Sequence, residues 1–279
     1  MVQAMRTVVY NIPVHLVPAY RGREVLVRTQ DPTALVQALP DGTLDKLVGV
    51  QLLSLTADVD ALADWGYGVL VDLVMGSPET EFPLLYRHAK LLDKHPVRAS
   101  VPVLPGLFKA VKVASALRFP VKLDMEQPEP EMFEAMQSVL EFYLHHPSVS
   151  QPVEFFHTAL LSFYHQAPVP LWDIQEDDPA YVRYVTDDGQ ETIARHPVGI
   201  RVTGDLGCFV AHLQQELLAE RGECGTCEFF AYCGGYFKWP RKDYGCSGVK
   251  TLFRALRDAS AALRHDLNTF TVAMKGTGR

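Results

Sequence analysis

The stretch Cys224-Gly-Thr-Cys227-Glu-Phe-Phe-Ala-Tyr-Cys233-Gly234-Gly235, closed by Cys246, carries four of the chain's five cysteines. Its spacing is C-x2-C-x5-C-x12-C. A C-x2-C turn aims two thiolates at one point, and two further cysteines complete a set of the kind that holds Zn²⁺ or an iron–sulfur cluster. Gly225, Gly234, Gly235 and Gly245 supply the permissive backbone that wrapping around a metal requires. The competing reading is unrelated buried thiols or two disulfides. A Gly-Gly pair directly after the third cysteine speaks against it. Spacing alone does not choose between the metals. A structural zinc ribbon usually carries two C-x2-C knuckles, whereas this stretch has one.

Cys224, Cys227 and Cys233, with Gly-Gly after the third and Cys246 downstream, resemble the SPASM domain. That domain is the C-terminal extension of many radical S-adenosylmethionine enzymes that mature peptides and enzymes. The segment Gly199-Ile-Arg-Val-Thr-Gly204-Asp-Leu-Gly-Cys208 is also similar to it, where the family has a short strand, a glycine turn and a cysteine. The resemblance covers Gly199–Ser247 specifically and the rest of the chain only at the level of fold. It implies one auxiliary 4Fe-4S cluster held by Cys224, Cys227, Cys233 and Cys246, and favours that cluster over zinc. A second auxiliary cluster of the family needs a cysteine separated from Cys233 by three residues, where Phe237 stands, and another upstream of Cys208, where there is none. Cys208 is then a remnant, not a ligand. The family's catalytic cluster sits on an early C-x3-C-x2-C motif, and residues 1–207 contain no cysteine. The chain is therefore expected not to cleave S-adenosylmethionine.

With 279 residues, the chain is long enough for one large or two ordinary domains. Apolar residues make up 48 %, and no apolar run reaches membrane-spanning length, so no membrane association is expected. The N-terminus lacks the apolar core of a signal peptide, and metal-spaced cysteines fit a reducing, cytoplasmic setting. A formal charge of −7 without a basic stripe argues against nucleic-acid binding. Arg241 and Lys242 read as a solvated loop.

Residues 1–175 alternate strand-like and helical patterns. Strands are predicted at Thr7–Val17, Glu24–Arg28, Leu47–Leu53, Gly68–Val74, Val97–Val103 and Pro120–Asp124. Helices are predicted after Asp31-Pro-Thr, at Asp58–Trp65, from Ser77-Pro-Glu to about Leu92, and at Leu107–Leu117, Pro130–Tyr143 and Val153–His165. The alternation predicts an α/β fold with a parallel sheet and crossover helices. A degenerate or partial (β/α) barrel fits, and periodicity equally allows a doubly wound sheet. Glu176-Asp-Asp-Pro marks a boundary, giving a barrel-like domain at 1–175 and a SPASM-like cluster domain with a C-terminal helix at 176–279. In the second, Tyr181–Val185 and Glu191–Ala194 flank Asp187-Asp-Gly as a hairpin. Ile200–Thr203 reads as a strand and Cys208–Arg221 as a helix. Val249, Leu252, Phe253, Leu256, Leu263, Leu267 and Phe270 form one helical stripe, expected to pack as core.

Away from the cysteines, Asp72, Asp124 and Glu126 sit in or just after apolar strands, where a barrel places its functional face. They are the candidate catalytic or amine-binding carboxylates; capped loops or satisfied polar groups are the alternative. His157 and His165 are eight residues apart on one helical face, about 12 Å along the axis, too far to share a metal. A four-cysteine cluster leaves no iron open to substrate. The expected role is therefore a non-catalytic iron–sulfur accessory protein that partners a radical S-adenosylmethionine enzyme, its peptide substrate, or both. Two other roles compete: an independent enzyme working at the barrel mouth with a structural cluster, and a zinc-stabilised interaction module.

Overall fold

The computed structural model describes residues 7–39, 46–193, 205–220 and 222–276, with side chains described to residue 269. The first half alternates strand and helix: β1 (Val9–Pro13), β2 (Glu24–Thr29), α1 (Pro32–Ala38), β3 (Leu47–Leu52), α2 (Asp60–Asp64), β4 (Leu70–Val74), α3 (Pro78–Glu81), β5 (Val97–Pro102), α4 (Leu107–Ala116), β6 (Val121–Asp124), α5 (Met132–His145), β7 (Val153–Glu154) and α6 (Phe156–His165). After these come α7 (Leu171–Ile174), the strands β8 (Val182–Val185) and β9 (Glu191–Thr192), α8 (Phe209–Ala219), α9 (Phe230–Cys233) and the long α10 (Ser247–Gly276).

The nine strands form one sheet in the order β7-β6-β5-β4-β3-β2-β1-β8-β9. Every pairing is parallel except the β8–β9 hairpin. Neighbours in the sheet are neighbours in sequence from β1 to β7. A doubly wound sheet would reverse its strand order at a switch point; this one does not, which leaves the barrel-like alternative. The C-terminal ends of β1 to β6, together with β8 and β9, wall a single cavity, so the sheet curls around it. The sheet also runs on across the boundary expected near Glu176, because β8 pairs with β1.

Alternation decides which face is which. Val27, Val50, Val71, Leu73, Ala99, Val101, Val121 and Leu123 are buried in the apolar core. The intervening positions carry polar residues aligned in register: Arg28 opposite Gln51, Gln51 opposite Asp72, Asp72 opposite Arg98, and Ser100 opposite Lys122. The inner face of the sheet is thus a row of hydrogen-bonding groups.

Several predicted elements come out shorter or of another type. Thr7–Val17 is a strand only as far as Pro13; Val14–Tyr20 turns as a 3-10 helix, which Pro18 can enter but an interior strand cannot accommodate. The helix from Ser77 is α-helical for one turn, and Phe82–Asp93 continues as 3-10, because Pro83 has no N–H to donate. Ser77 makes no side-chain cap. Instead Glu81 reaches back to accept from the N–H groups of Gly76 (2.7 Å) and Ser77 (3.1 Å). Val153–His165 is not one helix: Val153 and Glu154 pair with β6 before α6 begins. Asp31 caps α1 through Thr33 N–H as expected. Ile200–Thr203 and the glycine turn at Gly204 lie outside the described residues.

The stripe on α10 divides. Val249, Leu252, Phe253 and Leu256 are buried, with Phe253 against Phe155 and Phe163 of α6 and its neighbourhood. Leu263 and Leu267 are exposed, so only the first half of the stripe is core. The side chain of Phe270 lies outside the described residues. No helix among those residues is long and apolar enough to cross a membrane.

Candidate functional site

The cysteine stretch folds as a succession of tight turns. Glu223–Thr226 makes a 3-10 turn, α9 makes one helical turn, and Tyr236–Lys238 makes another 3-10 turn. Between the last two, Gly234 and Gly235 hold φ of +60° and +77°. A side chain at Gly235 would place Cβ 2.5 Å from Leu217, and one at Gly234 would meet Gln214 at 2.9 Å. The positive φ at both positions favours glycine, and a side chain there would also displace the tips of Leu217 and Gln214. The turn is fixed by Trp172, whose indole N–H donates to Gly234 O at 2.9 Å.

This path brings Cys224, Cys227, Cys233 and Cys246 to the wall of one small cavity, which Phe229, Phe237 and Phe253 cover from the protein side. Cys208 is exposed and does not line it. Burial pushes the Cys224 thiol up, the Cys233 thiol to about 11 and the Cys246 thiol to about 12. Against this, the backbone N–H groups of Phe237, Gly235 and Tyr236 face the Cys233 sulfur and favour its thiolate. Lys238 and Lys250 also line the cavity, both bound to Glu223 (2.6 and 2.7 Å), whose carboxyl they hold down at about 2 against the opposing effect of burial. Four thiols, three N–H donors and two ammonium groups around one space form a donor set suited to a thiolate-bound, negatively charged centre. Among the described residues, no three His, Cys, Asp or Glu side chains converge closely enough to hold a single ion.

The carboxylates separate into two environments. Asp72 is fully buried on β4, and its oxygens accept from Ser100 Oγ (2.7 Å), Arg98 Nη2 (2.8 Å) and Gln51 Nε2 (3.1 Å). Burial alone would push its carboxyl up; the charges of Arg98 and Lys122 and the bonds from Arg98 and Ser100 hold it below the usual range. The network extends from Asn11 through Gln51 and Asp72 to Arg98, and from there to Glu176, which also binds Lys122 at 2.8 Å. The Glu176 carboxyl is likewise depressed, its two cationic partners overcoming desolvation. Asp72 therefore has the surroundings of a satisfied structural group. Asp124 and Glu126 instead line the cavity at the strand ends, whose volume is about 1280 Å³. His157 is engaged by Tyr143, with 2.8 Å between Oη and Nδ1.

Sequence reasoning missed the polar row. Its signal was present: Gln51, Asp72, Arg98 and Lys122 each interrupt an otherwise apolar strand. It also missed Gln127, which links the two halves. Its side-chain N–H₂ donates to Phe237 O (2.9 Å) and Arg241 O (2.8 Å), and Tyr244 Oη donates to Pro128 O at 2.7 Å. The loop between β6 and α5 is thereby bolted to the cysteine loops. Arg241 and Lys242 are not merely solvated: Arg241 donates to Gln127, and Lys242 pairs with Glu216 and Glu220.

No family model matches the chain, and no curated protein matches it in sequence. A solved structure described as native anSMEcpe with bound AdoMet is similar in fold, with TM-score 0.52 and 13 % sequence identity, over 91 % of this chain and 100 % of that one. At this identity the likeness concerns the fold alone, a curled and mostly parallel α/β sheet.

Proposed function

We propose that the chain is a non-catalytic, SPASM-type iron–sulfur accessory protein, which binds one 4Fe-4S cluster through Cys224, Cys227, Cys233 and Cys246 and partners a radical S-adenosylmethionine enzyme. The observation that carries the reading is the convergence of these four cysteines on one cavity, in a chain whose preceding residues 1–207 carry no cysteine. The single C-x2-C knuckle and the resemblance favour a cluster, in which each iron takes one thiolate, over a single zinc ion. When bound, such a cluster supplies electron transfer and structural cross-linking. The chain's own residues cover it with Phe229, Phe237 and Phe253, offer N–H groups to Cys233, and balance charge with Lys238 and Lys250.

Gln127 and Tyr244 connect this centre to the strand-end cavity, so one surface can hold a partner's substrate near the cluster. That substrate, following the resemblance, is a peptide under maturation. A second reading, an independent enzyme using the strand-end cavity, is favoured by the placement of Asp124 and Glu126 on its wall. Anaerobic co-purification from the native cell, with activity assays of the captured enzyme, separates the two. The accessory reading expects a radical S-adenosylmethionine enzyme in the complex and reduced turnover without this chain. A fully active enzyme in its absence, with no complex at micromolar concentration, would reject it. Formation of 5′-deoxyadenosine by the purified chain alone would reject it too.

A further inference from the structure

Gln127 belongs to two sites at once. With Glu126, Pro128 and Glu129 it forms the part of the strand-end cavity wall that the β6–α5 loop builds. Its side-chain amide is used on the cysteine loops. The N–H₂ group donates to Phe237 O (2.9 Å) and Arg241 O (2.8 Å), and the oxygen accepts from Arg241 Nε (3.1 Å). Phe237 is fully buried, lines the cysteine cavity, and is one of the three residues whose N–H groups face the Cys233 sulfur. Gln127 and Phe237 thus span the way from the cavity wall to a cysteine sulfur. A parallel link runs through Tyr244. Its Oη donates to Pro128 O (2.7 Å), and its carbonyl accepts from Lys238, which also lines the cysteine cavity.

The turn on the cysteine side has little room to absorb a change by itself. Gly234 and Gly235 sit at positive φ, Trp172 holds Gly234 O, and Leu217 closes the space at Gly235. A change in the charge of what the four cysteines hold acts on the Phe237 N–H and on the Lys238 ammonium in a buried setting, where it is weakly screened. With the turn braced behind, the effect passes to the bonds in front. Those are the bonds that Phe237 O, Arg241 O and Tyr244 Oη make with the β6–α5 loop.

We propose that the β6–α5 loop is a redox-linked wall: uptake of one electron at the cysteine site, from a low-potential one-electron donor, tightens the loop through Gln127. No covalent bond is made or broken. The added negative charge strengthens the N–H and ammonium contacts, and its removal relaxes them. The inference rests on the iron–sulfur reading and adds a regulation of that site: the wall around the partner's substrate is better ordered in the reduced protein. Coupling between two sites is reciprocal. A loop that tightens on reduction therefore raises the reduction potential, and a loop cut loose lowers it by the same factor.

The test is hydrogen exchange on the anaerobically prepared full chain, compared before and after reduction with dithionite. Exchange across residues 125–131 should slow by about fivefold or more on reduction, the lower end of the usual coupling between sites. The strand β5 and the helix α4 should exchange alike in both states. Gln127→Ala, and Gln127→Leu, which keeps the bulk of the side chain without its donors, should remove most of that difference. Their midpoint potential, read by spectroelectrochemical titration, should fall below that of the unaltered chain. Fivefold corresponds to about 40 mV for a one-electron couple, at 59 mV per tenfold. Equal loop exchange in the two oxidation states of a brown protein would overturn the coupling and leave the iron–sulfur reading standing. That comparison is made on the unaltered chain and does not depend on a variant folding. Faster loop exchange in the variants, with the midpoint and the oxidised-to-reduced ratio unchanged, would show a purely structural clamp and overturn the coupling too. Colourless protein holding zinc would reject the iron–sulfur reading, and the coupling with it.

Discussion

Two cysteines of this chain, each a short step from a glycine, have opposite surroundings. Cys208 is exposed, and its thiol donates to an Asp205 oxygen 3.7 Å away. Cys233 is approached by three backbone N–H groups. Cys246→Ser should therefore abolish stoichiometric metal retention, while Cys208→Ser should leave it intact; metal analysis after anaerobic desalting decides. Asp72 invites a second substitution. Its removal leaves Arg98, Gln51 and Ser100 without their shared acceptor, and breaking a buried pair typically costs about 3–5 kcal/mol. Its carboxyl titrates lower in the fold than its ordinary value of 3.8. The stability it contributes is thus complete well above pH 3.8 and is lost as pH falls through the lower folded value. Urea melts of the unaltered chain and Asp72→Asn should differ most near neutral pH and converge in acid. A gap that stays constant from pH 7 to pH 3 would contradict the assignment. At this scale the cysteine set was legible, because spacing and glycines lie within one local stretch. The environment of Asp72 was not, because its hydrogen-bond partners come from the two neighbouring strands and depend on register.

Among the elements, the β6–α5 loop and the double-glycine turn carry the connection between cavity and cysteines. Gln127 makes two donor bonds to the cysteine loops, and neither backbone acceptor depends on a side chain. Gln127→Ala should speed hydrogen exchange across residues 125–131 and leave α4 and β5 unchanged; unchanged exchange in the loop would show that it stands without this clamp. Gly235→Ala meets both a positive φ and the Leu217 side chain, and should lower the thermal midpoint and weaken metal retention. The element pattern itself was largely readable: most predicted strands and the helices at α1, α4, α5 and α10 lie close to their expected places. The misses have two causes. Pro13, Pro18 and Pro83 changed the hydrogen-bonding options of segments whose apolar pattern was right. β7 is only two residues long and is defined by its partner β6, not by its own composition.

For the whole molecule, the parallel sheet in sequential order, the strand-end cavity and the cysteine cavity are joined through one apolar core that runs from the strands to Phe229, Phe237 and Cys246. Sequence alone left the doubly wound alternative open, since strand order is a property of pairing, not of periodicity. The likeness in fold to an AdoMet-bound structure concerns the architecture alone, and residues 1–207 of this chain contain no cysteine. The account rests on the identity of what the four cysteines hold. Iron and acid-labile sulfide, measured together with zinc on anaerobically purified chain, test this most directly. The account predicts brown protein with about four irons and four sulfides per chain. Colourless protein with one zinc per chain and no sulfide would contradict it.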